Sequence, residues 1–145
     1  LLVYLAVSNG WIPGKRARRG NSPSLAVLPF AAIGGDSAAG LGMTDALINR
    51  LGTIPSVSVR SLSTVRRFQE NPTDPVEAGR ALGVETVVTG SVQQLDKRIR
   101  VSVMLQRVED GQSLWADKFD EFQTNLFAVQ DTISEKIAGV LALRL

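Results

Sequence analysis

Apolar and polar residues alternate along the second half of the chain, a pattern typical of strands that bury one face. In the first such strand the apolar side carries Val84, Thr86, Val88, Gly90 and Val92, and the polar side Glu85, Thr89, Ser91 and Gln93. In the next, Ile99, Val101, Val103 and Leu105 alternate with Arg100, Ser102, Met104 and Gln106. Turns at residues 95–98 and 109–111, with a third strand over residues 112–119, complete a predicted antiparallel meander.

The first half of the folded region is predicted to contain alternating strands and helices. Residues 25–30 are a continuous apolar run typical of a strand buried on both faces, and Pro29 ends it because proline cannot donate to a ladder. A helical stripe that stops at Gly52, as a C′ residue, consists of Leu41, Leu47, Ile48 and Leu51. A short strand at Val57 and Val59 follows, and residues 61–68 are predicted to form one or two helical turns.

Two further helices have clear sequence signals. Asp74, Pro75 and Glu77 form a capping box with proline at the first helical position, and Gly83 is placed to end this helix. The last helix is predicted to run from a cap at Thr124 or Asn125 to the end of the chain. Its apolar positions are Leu126, Val129, Ile133, Ile137, Val140 and Leu141.

The element order βαβαβββα predicts an α/β fold with a mixed sheet of about five strands and helices packed on one face. We expect three segments: residues 1–12 as the end of a truncated transmembrane segment, residues 13–23 as a basic Pro/Gly linker, and residues 24–145 as the folded domain. The apolar residues 1–7 fall short of the roughly 20 needed to span a bilayer, and an ordinary disordered start is the alternative. The basic residues 15–19 would favour a cytoplasmic domain under the positive-inside rule.

Composition removes most familiar active sites. The 145 residues include no cysteine and no histidine, which excludes disulfides, thiol nucleophiles, Cys/His metal sites and imidazole bases. Although the net charge is +2, residues 21–145 carry twelve basic and fourteen acidic side chains, a net charge of −2. A mildly acidic domain opposes binding of a polyanion such as DNA.

Four short segments carry residues that could perform chemistry, and each has a structural interpretation. Residues 34–37 (GGDS) could bind an anion at a helix N-terminus, or form a tight turn in which Asp36 or Ser37 caps the helix. Asp117, Asp120 and Glu121 could form a hydrolase pair or cation site, or a solvated strand edge. Residues 66–68 (RRF) could contact nucleic acid, but two arginines beside one aromatic ring are weak evidence for such a site. Trp115 and Phe119 are expected to pack the sheet against a helix.

The residues therefore predict no catalytic group, no cofactor, no metal and no small-molecule substrate. The polar face of the two alternating strands is the candidate interaction surface instead. It consists of Thr89, Ser91, Gln93, Arg100, Ser102, Met104 and Gln106. Met104 is unusual there because its neighbours are polar.

An ordered series of short motifs resembles the TolB-like amino-terminal domain. These are SLAVLPF (24–30), GMTDALI (42–48), GRALGV (79–84), GSV (90–92), IRV (99–101), LWA (114–116) and FAVQD (127–131). Each motif is weak alone, but together they cover residues 24–145 in order. The resemblance provides no catalytic residues to carry over.

The resemblance implies a domain of ToxR/CadC-type membrane-bound regulators, in which a cytoplasmic winged-helix domain is joined by one transmembrane helix to this module. We therefore expect a non-enzymatic, extracytoplasmic sensory and protein-interaction domain at the bacterial inner membrane, in the periplasm. Its partners would be other proteins or a second copy, with the membrane reached through the N-terminal segment and DNA only through the missing winged-helix domain. The alternative is an accessory domain of a cytoplasmic nucleotide cyclase or protein kinase, often linked to tetratricopeptide repeats.

Overall fold

A mixed sheet forms the centre of the computed structural model, which describes residues 23–143. Within that range the sheet has six strands: β1 (Ser24–Val27), β2 (Ala31–Ile33), β3 (Ser58–Val59), β4 (Thr86–Leu95), β5 (Arg98–Arg107) and β6 (Ser113–Phe122). The order is β3-β1-β4-β5-β6, and β2 also pairs with β4. Strand β1 pairs in parallel with β3 and β4, and β2 pairs in parallel with β4. Strands β4, β5 and β6 form the predicted antiparallel meander.

The helices follow the predicted order. They are α1 (Ser37–Gly52), α2 (Leu62–Val65), α3 (Arg67–Glu70), α4 (Pro75–Leu82) and α5 (Leu126–Leu143), the last preceded by a 3-10 turn at Gln123–Asn125. The end of α1 differs from the prediction, because Gly52 is still helical and Thr53 caps the helix with its N–H on the carbonyl of Arg50. The start of α5 falls just after the predicted cap, because residues 124 and 125 belong to the 3-10 turn.

The structure confirms helix α4, its cap at Asp74 and its end at Gly83, but the carboxylate of Glu77 accepts from Arg80 (3.4 Å), so only the Asp74 half of the predicted capping box is seen. The carboxylate of Asp74 accepts hydrogen bonds from the backbone N–H groups of Val76 (3.1 Å) and Glu77 (3.3 Å). Pro75 occupies the first turn, and Gly83 closes the helix in the left-handed conformation with φ of 69°. These caps satisfy backbone groups that a helix end leaves without partners.

The predicted first strand is interrupted at Pro29, and an additional strand, β2, follows the interruption. Val27 pairs with Val88 and Ala31 pairs with Ser91, so three residues of the first strand lie opposite two of β4. This is the geometry of a β-bulge, and it contains Pro29, which has no N–H to donate. The chain then resumes as β2, which the sequence analysis assigned to a loop.

The mixed α/β sheet is confirmed, and its two faces are covered unequally. On one face α1 and α5 bury the main core, which includes Leu25, Val27 and Val88. On the other face Ala26 and Val87 belong to a smaller cluster, completed by Leu28, Val65, Ala78, Val84 and Val108. The expectation of helices on one face therefore holds for α1 and α5 but not for α4. Strand β1 is buried on both faces, so its second face also requires a cover.

The expected transmembrane end at residues 1–12 and most of the linker at residues 13–23 lie outside the described residues. Among residues 23–143, no helix has the length and apolar character needed to cross a membrane.

Candidate interaction surface

Three cross-strand rows build the polar face of the meander. Directly opposed residues on antiparallel strands point to the same side of a sheet, so the register assigns each row. The rows are Thr89–Met104–Ala116, Ser91–Ser102–Lys118 and Gln93–Arg100–Asp120. We call these nine residues the bare face.

Helix α4 covers only one end of this side of the sheet. A Cβ on Gly79 would collide with the side chains of Val108 and Val87, so α4 lies directly against them. The bare face begins one pleat beyond Val87. There a shallow open pocket of about 570 Å³ is lined by Thr89, Ser91, Ser102, Met104, Ala116 and Lys118. Short side chains form its floor, and Met104 is 37% exposed.

Strand β2 widens the bare face on the side away from β6. Ala31 pairs with Ser91 and Ile33 pairs with Gln93, and both residues of β2 are exposed. Ile33 is 46% exposed, so an apolar side chain stands beside the polar rows. The combination of apolar and polar groups on an open face suits contact with another protein.

A charged network closes the end of the bare face farthest from α4. Arg98 donates to Oδ1 of Asp120 from Nε (3.0 Å) and Nη2 (2.9 Å), and Arg100 donates to Oδ2 (3.1 Å). These hydrogen bonds, first from Arg100 and then from Arg98, hold the pKa of Asp120 below its ordinary value. The guanidinium of Arg98 also lies 4.7 Å from the ring centroid of Phe122.

The structure brings together six of the seven residues that the sequence analysis placed on this surface. The seventh, Gln106, faces the same side but lies half-buried near α4, where its amide donates to the carbonyl of Gly111 at 2.9 Å. Gln106 is therefore part of a turn and does not belong to the bare face.

The sequence analysis missed Ala116, Lys118 and Asp120 as members of the surface. The sequence did contain the information needed to find them. Trp115 and Phe119 were expected to face a helix, and alternation along the strand then places residues 116, 118 and 120 on the opposite side. Trp115 and Phe119 do pack against the main core, as predicted. Ile33 had no such signal, since β2 was not recognised.

The acidic cluster does not form a site. Asp117 and Glu121 pair with Val103 and Ile99 on the helix-covered side, whereas Asp120 lies on the bare face. Within residues 23–143 no group of three or more acidic side chains could hold a metal ion. The carboxylate of Asp117 accepts the backbone N–H of Lys118 at 2.8 Å, a local contact on the last strand of the sheet.

The two other candidate segments also have structural roles. Asp36 caps α1 by accepting the N–H of Ala38 at 3.0 Å, which is the tight-turn alternative for residues 34–37. Arg67 stacks over its neighbour Phe68, with 4.8 Å between the guanidinium carbon and the ring centroid. The ring of Phe68 also packs against the smaller cluster on the α4 side of the sheet, which gives this segment a structural role.

Comparison with solved structures identifies the fold. The chain superimposes on lipoprotein GNA1162 from Neisseria meningitidis with a TM-score of 0.59 and 17% identity, covering 81% of this chain and 99% of that one. It superimposes on TolB from Acinetobacter baumannii with a TM-score of 0.57 and 21% identity, covering 83% of this chain and 28% of that one. These similarities place the domain among TolB-like folds.

Comparison of sequences indicates the family. The chain is 32% identical over 126 residues to a protein of Rhizobium meliloti (strain 1021) named "Putative adenylate cyclase 3". That match covers 85% of this chain but only 22% of the relative's length. A family model described as "HilA/YgeH-like transcriptional regulator, second domain" matches residues 21–136. The chain therefore belongs to the family of HilA/YgeH-like transcriptional regulator second domains and has a TolB-like fold.

Proposed function

We propose that this domain is the non-enzymatic sensory and protein-interaction part of a membrane-bound, winged-helix transcriptional regulator, and that the bare face is where it contacts a partner protein or a second copy. The observation that carries the proposal is the incomplete cover of the sheet. Helix α4 protects the end at Val87, and the rest of that side offers exposed Met104 and Ile33 among short side chains.

The bare face has the features of a protein-binding surface. Its floor of serine, threonine and alanine allows close approach of another backbone, and Met104 adapts its shape to different neighbours. The Arg98–Asp120–Arg100 network at its rim contributes charge that can orient a partner. Each of these three charged groups already has an opposite charge within 3.1 Å, so a new ion pair with a partner would gain little energy. We therefore expect the rim to select which partner binds, and the pocket to contribute most of the binding affinity.

The acidic side chains of the domain also support a role without catalysis. Two exposed carboxylates of the described residues have a lowered pKa. Hydrogen bonds from the backbone N–H of Gln112 and then from Arg107 lower the pKa of Asp110, and those from Arg100 and Arg98 lower the pKa of Asp120. A general acid or base needs its pKa moved toward neutrality, which is the opposite direction. The family to which the domain belongs is one of regulators.

We place the domain in the periplasm of a bacterium, anchored at the inner membrane through the segment before residue 13. The support is the apolar start of the sequence together with the shared fold of a bacterial lipoprotein. DNA would then be reached only through the winged-helix domain of the whole regulator.

The test uses a transcription reporter driven by the full-length regulator. We expect Met104→Asp to reduce the response about tenfold, as for loss of an interface residue worth more than about 1 kcal/mol. The matched control is Phe127→Asp, an exposed apolar residue of α5 (71% exposed) away from the bare face. Circular dichroism of both variants checks that they fold. A response from Met104→Asp equal to that of the control would refute the role of the bare face.

A second candidate function is favoured by the relative from Rhizobium meliloti. Its name, putative adenylate cyclase, supports an accessory role beside a nucleotide cyclase, in which the same face would contact the enzyme or its neighbouring repeats. Measurement of cyclic AMP formed by the full-length protein separates the two functions. Nucleotide turnover that depends on Met104 would favour the accessory role, and reporter activity without turnover would favour the regulator.

A further inference from the structure

Strand β6 forms an exposed edge of the sheet. It is ten residues long, and in the described part of the chain only β5 pairs with it. The N–H of Gln123 donates to the carbonyl of Lys97 at 2.8 Å, and this pair continues the register of β5 and β6. Because hydrogen-bonded and non-hydrogen-bonded pairs alternate along antiparallel strands, the odd-numbered residues of 117–121 also bond to β5. The backbone N–H and C=O groups of the even-numbered residues of 116–122 therefore point outward from the sheet.

Two local contacts agree with this orientation. The N–H of Lys118 donates to the carboxylate of its neighbour Asp117 at 2.8 Å and not to β5. The carbonyl of Asp120 accepts from Nη2 of Arg98 at 3.1 Å, and a carbonyl oxygen has a second lone pair. An edge with outward donors and acceptors is a template for another strand, because its backbone can continue the ladder. The ligand that fits this edge is therefore an extended backbone.

Spaces for side chains flank the edge on both sides of the sheet. On the helix side a groove of about 290 Å³ lies between β6 and α5, and its lining includes Phe119, Ala128 and Thr132. On the other side Ala116 and Lys118 belong to the pocket of the bare face. An added strand would direct its successive side chains alternately into these two spaces. Peptides that extend a sheet gain affinity from their backbone and specificity from such pockets.

The helix-side row of the edge determines which strand fits. Asp117 and Glu121 flank Phe119 in this row, and neither carboxylate forms an ion pair within residues 23–143. Glu121 accepts one hydrogen bond, from Asn125 at 3.1 Å. On a strand antiparallel to β6, the residues opposite this row would form non-hydrogen-bonded pairs, in which side chains lie closest. Lysine or arginine opposite each carboxylate and an apolar residue opposite the ring would complement the row.

A second copy of β6 does not complement this row. We consider two-fold antiparallel pairs of β6 strands centred on any residue from 117 to 121. A centre at Phe119 places Asp117 opposite Glu121 twice, and a centre at any other of these residues places a charged side chain opposite its own copy. Like charges directly opposite each other are destabilising, so the edge favours a strand of different sequence.

We propose that the β6 edge binds an extended segment of a different protein, in which two basic residues four positions apart flank an apolar residue at the middle position. The segment adds a strand antiparallel to β6, and its basic side chains pair with Asp117 and Glu121. A carbonyl of the added strand accepts the N–H of Lys118, which frees the carboxylate of Asp117 for the cation. This inference does not rest on the proposed function, because it uses the edge of the sheet and not Met104 or Ile33.

The experiment uses two nine-residue peptides of identical composition with blocked ends. Peptide TSKTVTRST has its basic residues four positions apart, and peptide TKSTVTSRT has them six apart. Each is titrated into the 145-residue chain while the amide NMR shifts and hydrogen exchange of residues 116–122 are followed. We expect the first peptide to bind about fivefold more tightly and to slow the exchange of the outward amides. Equal affinities, no binding of either peptide, or shifts confined to other strands would overturn the proposal.

Charge reversal tests the two carboxylates. A chain carrying Asp117→Lys and Glu121→Lys should lose its preference for TSKTVTRST and should instead bind TSETVTEST, in which glutamates replace both basic residues. The matched control carries Asp45→Lys and Glu70→Lys, at exposed acids of α1 and α3, and should bind all peptides as the parent does. Circular dichroism checks that both chains fold. An unchanged preference after reversal at the edge would contradict the proposal.

Two further measurements separate the edge from other surfaces. Met104→Asp changes the bare face on the neighbouring strand and should bind TSKTVTRST as the parent does, so a failure of the proposed function leaves this result unaffected. Sedimentation of the free chain tests a second copy as the occupant, and we expect no dimer that depends on the edge. Dimer formation that Asp117→Lys with Glu121→Lys abolishes would assign the edge to a second copy and overturn the proposal.

Discussion

The backbone N–H of Phe30 donates to Oγ1 of Thr44 at 2.9 Å, and the same hydroxyl donates to the carbonyl of Gly40 at 2.9 Å. This contact lies at the bulge where Pro29 interrupts pairing with β4, so the hydroxyl replaces a ladder bond that the strand has lost. The backbone of Phe30 also lies against Gly40, where any Cβ would collide with it. Helix α1 is thereby fixed to the break between β1 and β2.

Replacement of Thr44 by valine should destabilise the domain by about 1–3 kcal/mol, because Phe30 keeps a buried N–H without a partner while the side-chain volume hardly changes. Urea unfolding measures the difference. Thr44→Ser keeps the hydroxyl and should recover much of the loss. The control Thr132→Val removes a hydroxyl bonded to Ala128 within α5 and should cost less than half as much. Equal losses for both valine variants would contradict the role of Thr44.

Gly90 is required by the close approach of two neighbours. A Cβ there would collide with the carbonyl of Ser102 and the ring of Phe30, and the carbonyl cannot move without breaking the pairing of β4 and β5. We expect Gly90→Ala to cost at least about 1–3 kcal/mol in unfolding free energy. In Gly139→Ala the new methyl group enters open space within a helix, and stability should rise by up to about 1 kcal/mol. Urea unfolding of both variants tests this prediction, and a loss of stability in both, or a gain in both, would contradict it.

The network around Asp120 predicts a dependence of stability on pH. Hydrogen bonds from Arg100 and Arg98 lower the pKa of Asp120 below its ordinary value in the folded protein, so the folded state favours the ionised carboxylate more than the unfolded state does. This stabilisation is present above the unfolded pKa and is lost as pH falls through the folded value. The unfolding temperature of Asp120→Asn should therefore fall below that of the parent at about pH 6, and the two should converge as the pH is lowered through the folded pKa of Asp120.

The control for Asp120 removes its partners. In a chain carrying Arg98→Gln and Arg100→Gln, the further change Asp120→Asn should have little effect at either pH. High salt should reduce the difference in the parent, because the three side chains are about half exposed. A difference that persists at low pH would show that the carboxylate acts through something other than its charge.

Gly83 ends α4 in the left-handed conformation with open space around its Cα. A side chain there would meet no neighbour, so the cost of substitution comes from the backbone alone. We expect Gly83→Ala to lose about 1 kcal/mol and Gly83→Asn to lose less, since asparagine tolerates positive φ. Unfolding free energies in urea test the order, and an alanine variant as stable as the parent would contradict it.

The sequence predicted α4 and β5 well because their signals are local. Asp74, Pro75 and Gly83 act within one or two turns of helix, and the alternation from Ile99 to Leu105 depends only on neighbouring residues. The same locality explains why β2 was missed. Ala31, Ala32 and Ile33 have no strand pattern of their own, and they become a strand only because residues 91–93 of β4 lie beside them.

The candidate surface was predicted in part for the same reason. Alternation placed six of its residues on one side of two strands, but the extent of the surface depended on where α4 lies. That helix covers Val87 and leaves Thr89 and Met104 open, a boundary set by packing between residues far apart in the chain. Gln106 faces the predicted side, but its amide is bonded to Gly111 in the following turn, so it is not part of the open surface.

By itself the sequence determined most of the helices and strands and their order, β2 excepted, and the absence of cysteine and histidine chemistry, because periodicity, caps and composition are properties of short segments. Only the tertiary structure decided which residues meet. The pairing of Ala31 with Ser91, the contact of Arg98 and Arg100 with Asp120, and the ion pair of Arg50 with Asp131 all join segments that are distant along the chain. Such contacts form only when the sheet and the helices assemble, and no local pattern encodes them.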